Sequence, residues 1–384
     1  MTRKCIVAVV SLLVVVALPQ TASAAPGRAP AAQSPTSSYI VVLHGSADAS
    51  EVASDHSRRH GAEVRHVYGA AIKGYAASIR EDQVAALRAD PRVAYVELDA
   101  PVSVAAQSLP WGVNRIDADV SSTRAGDGSG SVTNVNAYVI DTGIKSHTDL
   151  YVAAHRNFTG DGKNYDCNGH GTHVAGTLAA RDNSSYVVGV APGVRLTGLK
   201  ALDCAGSGMT SGVISAVNWV TTYAKKPAVA NLSLSGGVSQ ALDDAVRKSA
   251  AGGVLYAVAA GNSGVDACDS SPARAGAGTN NGIVTVAATD SGDREPSWSN
   301  YGSCVDIWAP GMSILSTYNN GGTATSSGTS MASPHVAGAG ALFLSKNTTT
   351  SPANAEANLT ANVSSSATTS KDGRAVRVVY AGRY

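Results

Sequence analysis

The chain has 384 residues, 44% of them hydrophobic, enough for a sizeable core and more than one domain. Its formal net charge is +1 and only 15% of its residues are charged, so neither nucleic acid nor an anionic membrane surface is expected as a partner. Glycine is abundant, at 40 residues, and phenylalanine nearly absent, at 2, a composition that lets helices pack closely on a sheet.

At the N-terminus Arg3 and Lys4 precede an apolar run over residues 6–18, and Ala22-Ser23-Ala24 reads as a small-residue cleavage site. Residues 1–24 are therefore expected to be a signal peptide, the run being too short for a comfortable membrane span. No second long apolar run follows, so the product is expected to be secreted, extracellular and free of the membrane. Residues 25–38, rich in Ala, Pro, Ser and Gly, read as a flexible leader. Strands are expected over 39–43, 63–68, 74–79 and 93–97, with a polar helix-compatible stretch over 49–60 and a helix over 81–88 that Asp90-Pro91 stops. That β-α-β-β-α-β order describes a small ferredoxin-like α+β domain, assigned to residues 39–105.

In a second domain, assigned to residues 106–384, apolar strand-like runs alternate with helix-like ones from Asn114 onward. Strands are expected over 135–140, 195–201, 228–234, 253–259, 283–287 and 305–308, and helices over 172–180, 211–223, 240–250 and 330–344. Near-continuous apolar strands between helices imply an α/β domain whose mostly parallel sheet has helices on both faces.

Four motifs in this second domain carry chemistry. Asp141 closes an apolar run before Thr142-Gly143, a carboxylate at the end of a buried strand. His170 sits between glycines in Asn168-Gly169-His170-Gly171-Thr172-His173. A His pair at i, i+3 can bind metal, but no third ligand appears at matching spacing, so His173 reads as a packing or hydrogen-bonding residue. Asn262 follows a buried strand-like run and offers a side-chain donor. Ser330 lies in Gly328-Thr329-Ser330-Met331-Ala332-Ser333-Pro334-His335, with Pro334 expected in the first turn of a helix. A lone Ser there is ordinarily a cap. Next to a base, an orienting acid and an oxyanion donor it becomes a nucleophile.

Taken together, in the order Asp141, His170, Asn262, Ser330, these motifs resemble those of the subtilisin-like serine proteases, from about Trp111 to the C-terminus. The order Asp, His, Ser separates that family from chymotrypsin-type and α/β-hydrolase-type enzymes. The resemblance implies that Asp141 orients the imidazole, His170 acts as general base then acid, and Ser330 attacks the scissile carbonyl. Asn262 and the Ser330 N–H would form the oxyanion hole.

Once Cys5 leaves with the signal peptide, four cysteines remain, which allow three pairings. Their motifs resemble the proteinase K branch and, within it, aqualysin-like enzymes, which implies Cys167–Cys204 and Cys268–Cys304. No Cys has a pattern suited to catalysis. The resemblance further implies that residues 39–105 are a propeptide, chaperone and intramolecular inhibitor, with its tail, residues 98–105, lying in the active site and autoprocessing near 104–106. Gly206-Ser207-Gly208 and Ser233-Leu234-Ser235-Gly236 correspond to segments that, in the family they resemble, clasp an extended peptide between them as an added strand. With Ala259-Ala260-Gly261 the second would line the specificity pocket. Small residues and no acidic one in these segments lead to an expected preference for apolar or aromatic side chains before the cut, with broad tolerance. The resemblance also implies calcium as a structural ion, with Asp306 and the carbonyls of Asn281 and Ile283 matching ligands of the proteinase K site, and no organic cofactor is expected. The implied protein is a monomer acting on protein or peptide substrates.

Other readings fit less well. A sedolisin-type peptidase needs a glutamate base and an Asp where Asn262 stands. A catalytically inactive binding protein on the same fold would have lost one of Asp141, His170 and Ser330. The Gly206-Ser207-Gly208 pattern is too incomplete for a nucleotide site.

Overall fold

The computed structural model describes residues 34–100 and 107–384. The expected signal peptide, most of the leader and the expected processing stretch lie outside the described residues, as does most of the tail at 98–105. The chain divides into two compact units, residues 1–103 and 104–384.

Unit one runs β1 (Thr36–Leu43), α1 (Ala49–His60), β2 (Glu63–Tyr68), β3 (Gly74–Arg80), α2 (Val84–Arg88) and β4 (Val93–Leu98). Its sheet has the order β2-β3-β1-β4, every neighbouring pair antiparallel. The sequence fits α1 at both ends. Asp48 Oδ1 accepts the N–H groups of Ser50 and Glu51 at 2.9 and 3.0 Å, and Gly61 stops the helix at φ +65°. Val41, Val52, Tyr75, Ile79 and Leu87 fill the core between sheet and helices. One expectation is corrected. β1 starts at Thr36, not at residue 39, because Thr36, Ser37 and Ser38 pair with Arg80, Ile79 and Ser78. The ladder recruits polar residues that composition had assigned to the leader.

Unit two begins with α3 (Trp111–Arg115), β5 (Asn136–Asp141), β6 (Val152–Asn157), α4 (His170–Ala179), β7 (Arg195–Lys200) and α5 (Thr210–Tyr223). It continues through β8 (Ala228–Leu232), α6 (Gln240–Ala251), β9 (Leu255–Ala259), β10 (Ile283–Thr289) and β11 (Ile307–Pro310). The hairpin β12 (Ile314–Thr317) and β13 (Thr323–Ser326) leads into α7 (Thr329–Lys346), α8 (Pro352–Ala361), β14 (Val363–Thr369) and β15 (Ala375–Val379). Nine strands form one sheet in the order β14-β15-β11-β10-β9-β8-β5-β7-β6. All neighbours are parallel except β14 with β15.

β5 shows how the sheet is covered on both sides. Ala137 and Val139 point into a core shared with α4 and α7, whereas Tyr138 and Ile140 point into one shared with α5 and α6. Alternate residues thus serve opposite faces and the strand reads as one apolar run. After β5 the chain first places β6 and β7 on one side and later adds β8 to β11 on the other. The C-terminal end of β5 is therefore the topological switch point, where α/β sheets open a crevice.

The helix expected over 330–344 starts one residue earlier, and Pro334 lies inside α7, past its first turn. Strand β11 starts at Ile307, so Asp306 stands just before it. The edge strand β6, the hairpin β12–β13, and α8, β14 and β15 were not foreseen. β14 is a run of Val, Ser, Ala and Thr that pairs only through β15 at the sheet margin.

Candidate active site

Asp141 is the last residue of β5 and fully buried. Its Oδ1 accepts the Thr142 N–H at 2.7 Å and meets His170 Nδ1 at 2.7 Å. His170 opens α4, and the start of that helix is fixed by Asp166, a buried residue the sequence reading missed. Asp166 Oδ1 accepts the N–H groups of Asn168 and Gly169, both at 2.9 Å, and the Thr142 hydroxyl, also at 2.9 Å. Its Oδ2 accepts the Thr172 N–H at 2.9 Å and the Thr172 hydroxyl at 2.5 Å. One carboxylate thereby holds the loop before the helix, takes the Thr172 N–H of its first turn and ties it to the residue after Asp141, while the His170 and Gly171 N–H groups go to Asn168 Oδ1 and Thr142 Oγ1. Gly171 is required in that turn, because a Cβ there would collide with the Gly143 carbonyl.

The His170 imidazole titrates above its ordinary range. Burial alone would lower it, but the Asp141 charge and hydrogen bond, helped by Asp166, outweigh burial. His173 goes the other way. Burial drives it down to about 4, and its Nε2 sits 3.0 and 3.1 Å from the carbonyls of Ile314 and Ala324. It is a neutral structural residue holding α4 to the β12–β13 hairpin.

Ser330 is the second residue of α7, whose cap is Gly328. Pro334 has no N–H to give the Ser330 carbonyl, its i−4 partner. The Ser233 hydroxyl donates to that carbonyl instead, at 2.7 Å. Ser233 Oγ accepts from Asn231 Nδ2 at 2.9 Å, and Asn231 Oδ1 accepts from Ser333 at 2.7 Å. A buried polar chain therefore locks the start of α7 onto the end of β8. The Ser330 hydroxyl donates to the Ser233 carbonyl at 3.2 Å. Among the described residues no hydrogen bond joins Ser330 to His170, although both line one cleft. Catalytic hydrogen bonds commonly tighten only when substrate arrives.

Asn262 lines the same cleft. Its Oδ1 accepts the Thr329 N–H at 2.8 Å and the Thr329 hydroxyl at 2.9 Å. Only oxygen can accept a backbone N–H, so the side-chain NH₂ is the end left for a ligand. Thr329 Oγ1 in turn accepts the Gly261 N–H at 3.0 Å.

The cleft holds about 740 Å³. Gly206, Ser207, Gly208, Ser233, Leu234, Ser235 and Gly236 all line it. Ala259, Ala260 and Gly261 are not among its lining residues; all three are buried, and Gly261 serves by gripping Thr329. Asp203 Oδ1 accepts the N–H groups of Ala205 and Ser207 at 2.8 and 3.1 Å, which shapes the first segment. Asn168 Nδ2 donates to the Cys204 carbonyl at 3.1 Å, and Cys167 is bonded to Cys204, so that segment is fastened twice to the loop that carries His170. Cys268 is bonded to Cys304. On the far wall Gly236 and Ser271 exchange backbone hydrogen bonds at 2.9 and 3.2 Å. Asn168, Asp269, Ser270, Ser271 and Asn300 also line the cleft and were absent from the expected set.

Asp306 and Asn281 lie beside the start of β10. Asp306 Oδ2 accepts the Thr285 N–H at 2.7 Å, and Asn281 Oδ1 accepts the Ile283 N–H at 2.9 Å. Burial pushes the Asp306 carboxyl well above its ordinary range, and the Glu356 carboxylate adds to this. A buried carboxylate whose charge is disfavoured in this way has the oxygen-donor chemistry that a hard cation takes. The Asn281 side chain is already engaged, which leaves its carbonyl to act. Among the described residues the one close cluster of three possible metal ligands is Asp161, Cys167 and Cys204, and its sulfurs are spent in a disulfide.

Comparisons with known proteins give the family of each unit. The subtilase family model matches residues 134–378, and the peptidase inhibitor I9 model matches residues 38–105. An extracellular serine proteinase of Thermus sp. is 47% identical over 312 residues, covering 76% of this chain and 71% of that protein. An alkaline serine exoprotease A of Vibrio alginolyticus is 44% identical over 335 residues, covering 83% of this chain; this chain spans 60% of that longer protein. A crystal structure of a cold-adapted subtilisin-like serine proteinase superposes with a TM-score of 0.63 at 42% identity, covering 71% of this chain and 97% of that one. The chain belongs to the subtilase family of serine endopeptidases.

Proposed function

We propose that the chain is made as a secreted zymogen and cuts internal peptide bonds of proteins through an acyl-enzyme on Ser330. The observation that carries this reading is the 2.7 Å contact between Asp141 and His170 in a cleft lined also by Ser330 and Asn262. Ser330 Oγ attacks the scissile carbonyl and its proton passes to His170 Nε2. The imidazolium, held by Asp141, returns that proton to the leaving amine as the C–N bond breaks. Water, deprotonated by His170, then attacks the ester, and as the C–O bond breaks the imidazolium returns that proton to Ser330 Oγ. Asn262 Nδ2 and the Ser330 N–H, near the positive end of α7, receive the oxyanion. Residues 39–105, within the I9 match, serve as the propeptide and inhibitor, with autoprocessing near 104–106. A fluorophosphonate should add covalently to Ser330, detected by peptide mass mapping, and abolish casein hydrolysis. Labelling elsewhere with hydrolysis intact overturns the reading.

The Gly- and Ser-rich walls leave room for apolar or aromatic side chains before the cut. A peptide-library profile that peaks at Lys or Arg overturns that preference. Calcium is proposed as a structural ion held by Asp306 and the carbonyls of Asn281 and Ile283, where it would supply charge compensation. Removing it with a chelator should lower Tm by several degrees. An unmoved Tm counts against the ion.

A further inference from the structure

The cleft is nearly free of charge. Apart from His170, Asp269 is the only ionisable side chain among its lining residues. None of the peptide-clasping segments contains an acid, so this carboxylate enters the cleft from a part of the chain that those segments do not cover. Asp269 is exposed, and among the described residues its carboxylate has neither a hydrogen bond nor an ion pair. Arg274, five residues on, is paired with Asp243 at 3.3 Å.

The backbone that carries Asp269 is held firmly. Residues 267–269 form a single 3₁₀ turn capped by Asp266, whose Oδ1 accepts the Cys268 N–H at 2.8 Å. Cys268 is tied to Cys304 by a disulfide. Two residues on, Ser271 is bridged to Gly236 of the clasping segment. The carboxylate is thus mounted beside the Ser235–Gly237 wall with no partner among the described residues, while the rest of that wall is neutral.

We infer that Asp269 is a specificity-determining residue, selecting peptides that place a basic rather than an acidic side chain against this wall. The inference rests on the endopeptidase reading above and refines it: apolar residues lead, and among charged residues the sign is chosen. A solvent-exposed charge pair at contact distance is worth about fivefold in an equilibrium constant. Exchanging Lys for Glu counts that factor twice, once as attraction and once as repulsion, roughly 25-fold in all. Screening should reduce the ratio severalfold in 1 M NaCl.

The test uses quenched fluorescent peptides with Leu before the cut, and with Lys or Glu placed in turn at each neighbouring position on the acyl side. The ratio of kcat/KM for Lys to that for Glu is internal to each enzyme, so differences in active fraction cancel. In the unaltered enzyme one position should show the ratio near 25. That ratio should fall to near one in Asp269→Asn and below one in Asp269→Lys. Ratios that agree among the three enzymes at every position overturn the inference and leave the protease reading standing. No cleavage of any peptide by the unaltered enzyme defeats both.

Discussion

Replacing Ser330 with Ala is expected to lower casein hydrolysis by about 10⁶-fold, a size carried over from subtilisin, and to leave the pro-region uncut. The structure makes this a clean substitution. Among the described residues the Ser330 hydroxyl makes one hydrogen bond, to the Ser233 carbonyl at 3.2 Å, whose loss costs about 1 kcal/mol of stability or less. What locks the start of α7 is the Ser330 carbonyl, which accepts from the Ser233 hydroxyl and survives the change. Alanine is also the best helix former. The Asp141–His170 pair and the Asn262 amide are anchored independently of the hydroxyl. A chain that keeps its fold, runs at the mass of the unprocessed zymogen and has lost hydrolysis identifies Ser330 as the nucleophile of both reactions. Equal processing and hydrolysis by the Ser330→Ala and unaltered chains would remove Ser330 from the mechanism.

The parts of this site that could be read from the sequence are those that depend on local order. Asp141 ends an apolar run, His170 and Ser330 open helices, and each sits in a short motif. Their supports could not be read in the same way, because they depend on where distant backbone groups converge. Asp166 collects donors from Thr142, Asn168, Gly169 and Thr172, and nothing in its own neighbourhood announces a helix-start clamp. The Pro334–Ser233 relation is legible only once β8 is known to end beside α7. Ala259, Ala260 and Gly261 were expected in the cleft wall; Ala259 ends β9, all three are buried, and the backbone of Ala260 and Gly261 is taken up by hydrogen bonds to Asn300 and Thr329. At the sheet margins pattern fails for another reason. β6 and β14 are half-exposed and rich in polar residues, and they are strands because a neighbour offers a ladder.

The second large effect concerns Asp141. Asp141→Asn should lower kcat by about 10⁴-fold, as in related triads, because an amide can hold the imidazole in the wrong tautomer and no longer stabilises the imidazolium. The structure adds a prediction about pH. In the proposed mechanism His170 must be neutral to accept the Ser330 proton, so activity should be lost as pH falls through its pKa and be full above it. That pKa is raised because the Asp141 charge outweighs burial. Removing the charge leaves burial to dominate, so the acid limb of the kcat/KM profile should move to lower pH in the Asn variant while the plateau drops. Asn262→Ala makes the contrast. It removes the proposed oxyanion donor but no charge near the imidazole, so kcat should fall by about 10²–10³-fold, the size known for the matching loss in subtilisin, with the acid limb unmoved. An acid limb that stays in place in Asp141→Asn would mean that the 2.7 Å contact does not control the base. A limb that moves in Asn262→Ala would mean that the amide acts on His170 and not on the oxyanion.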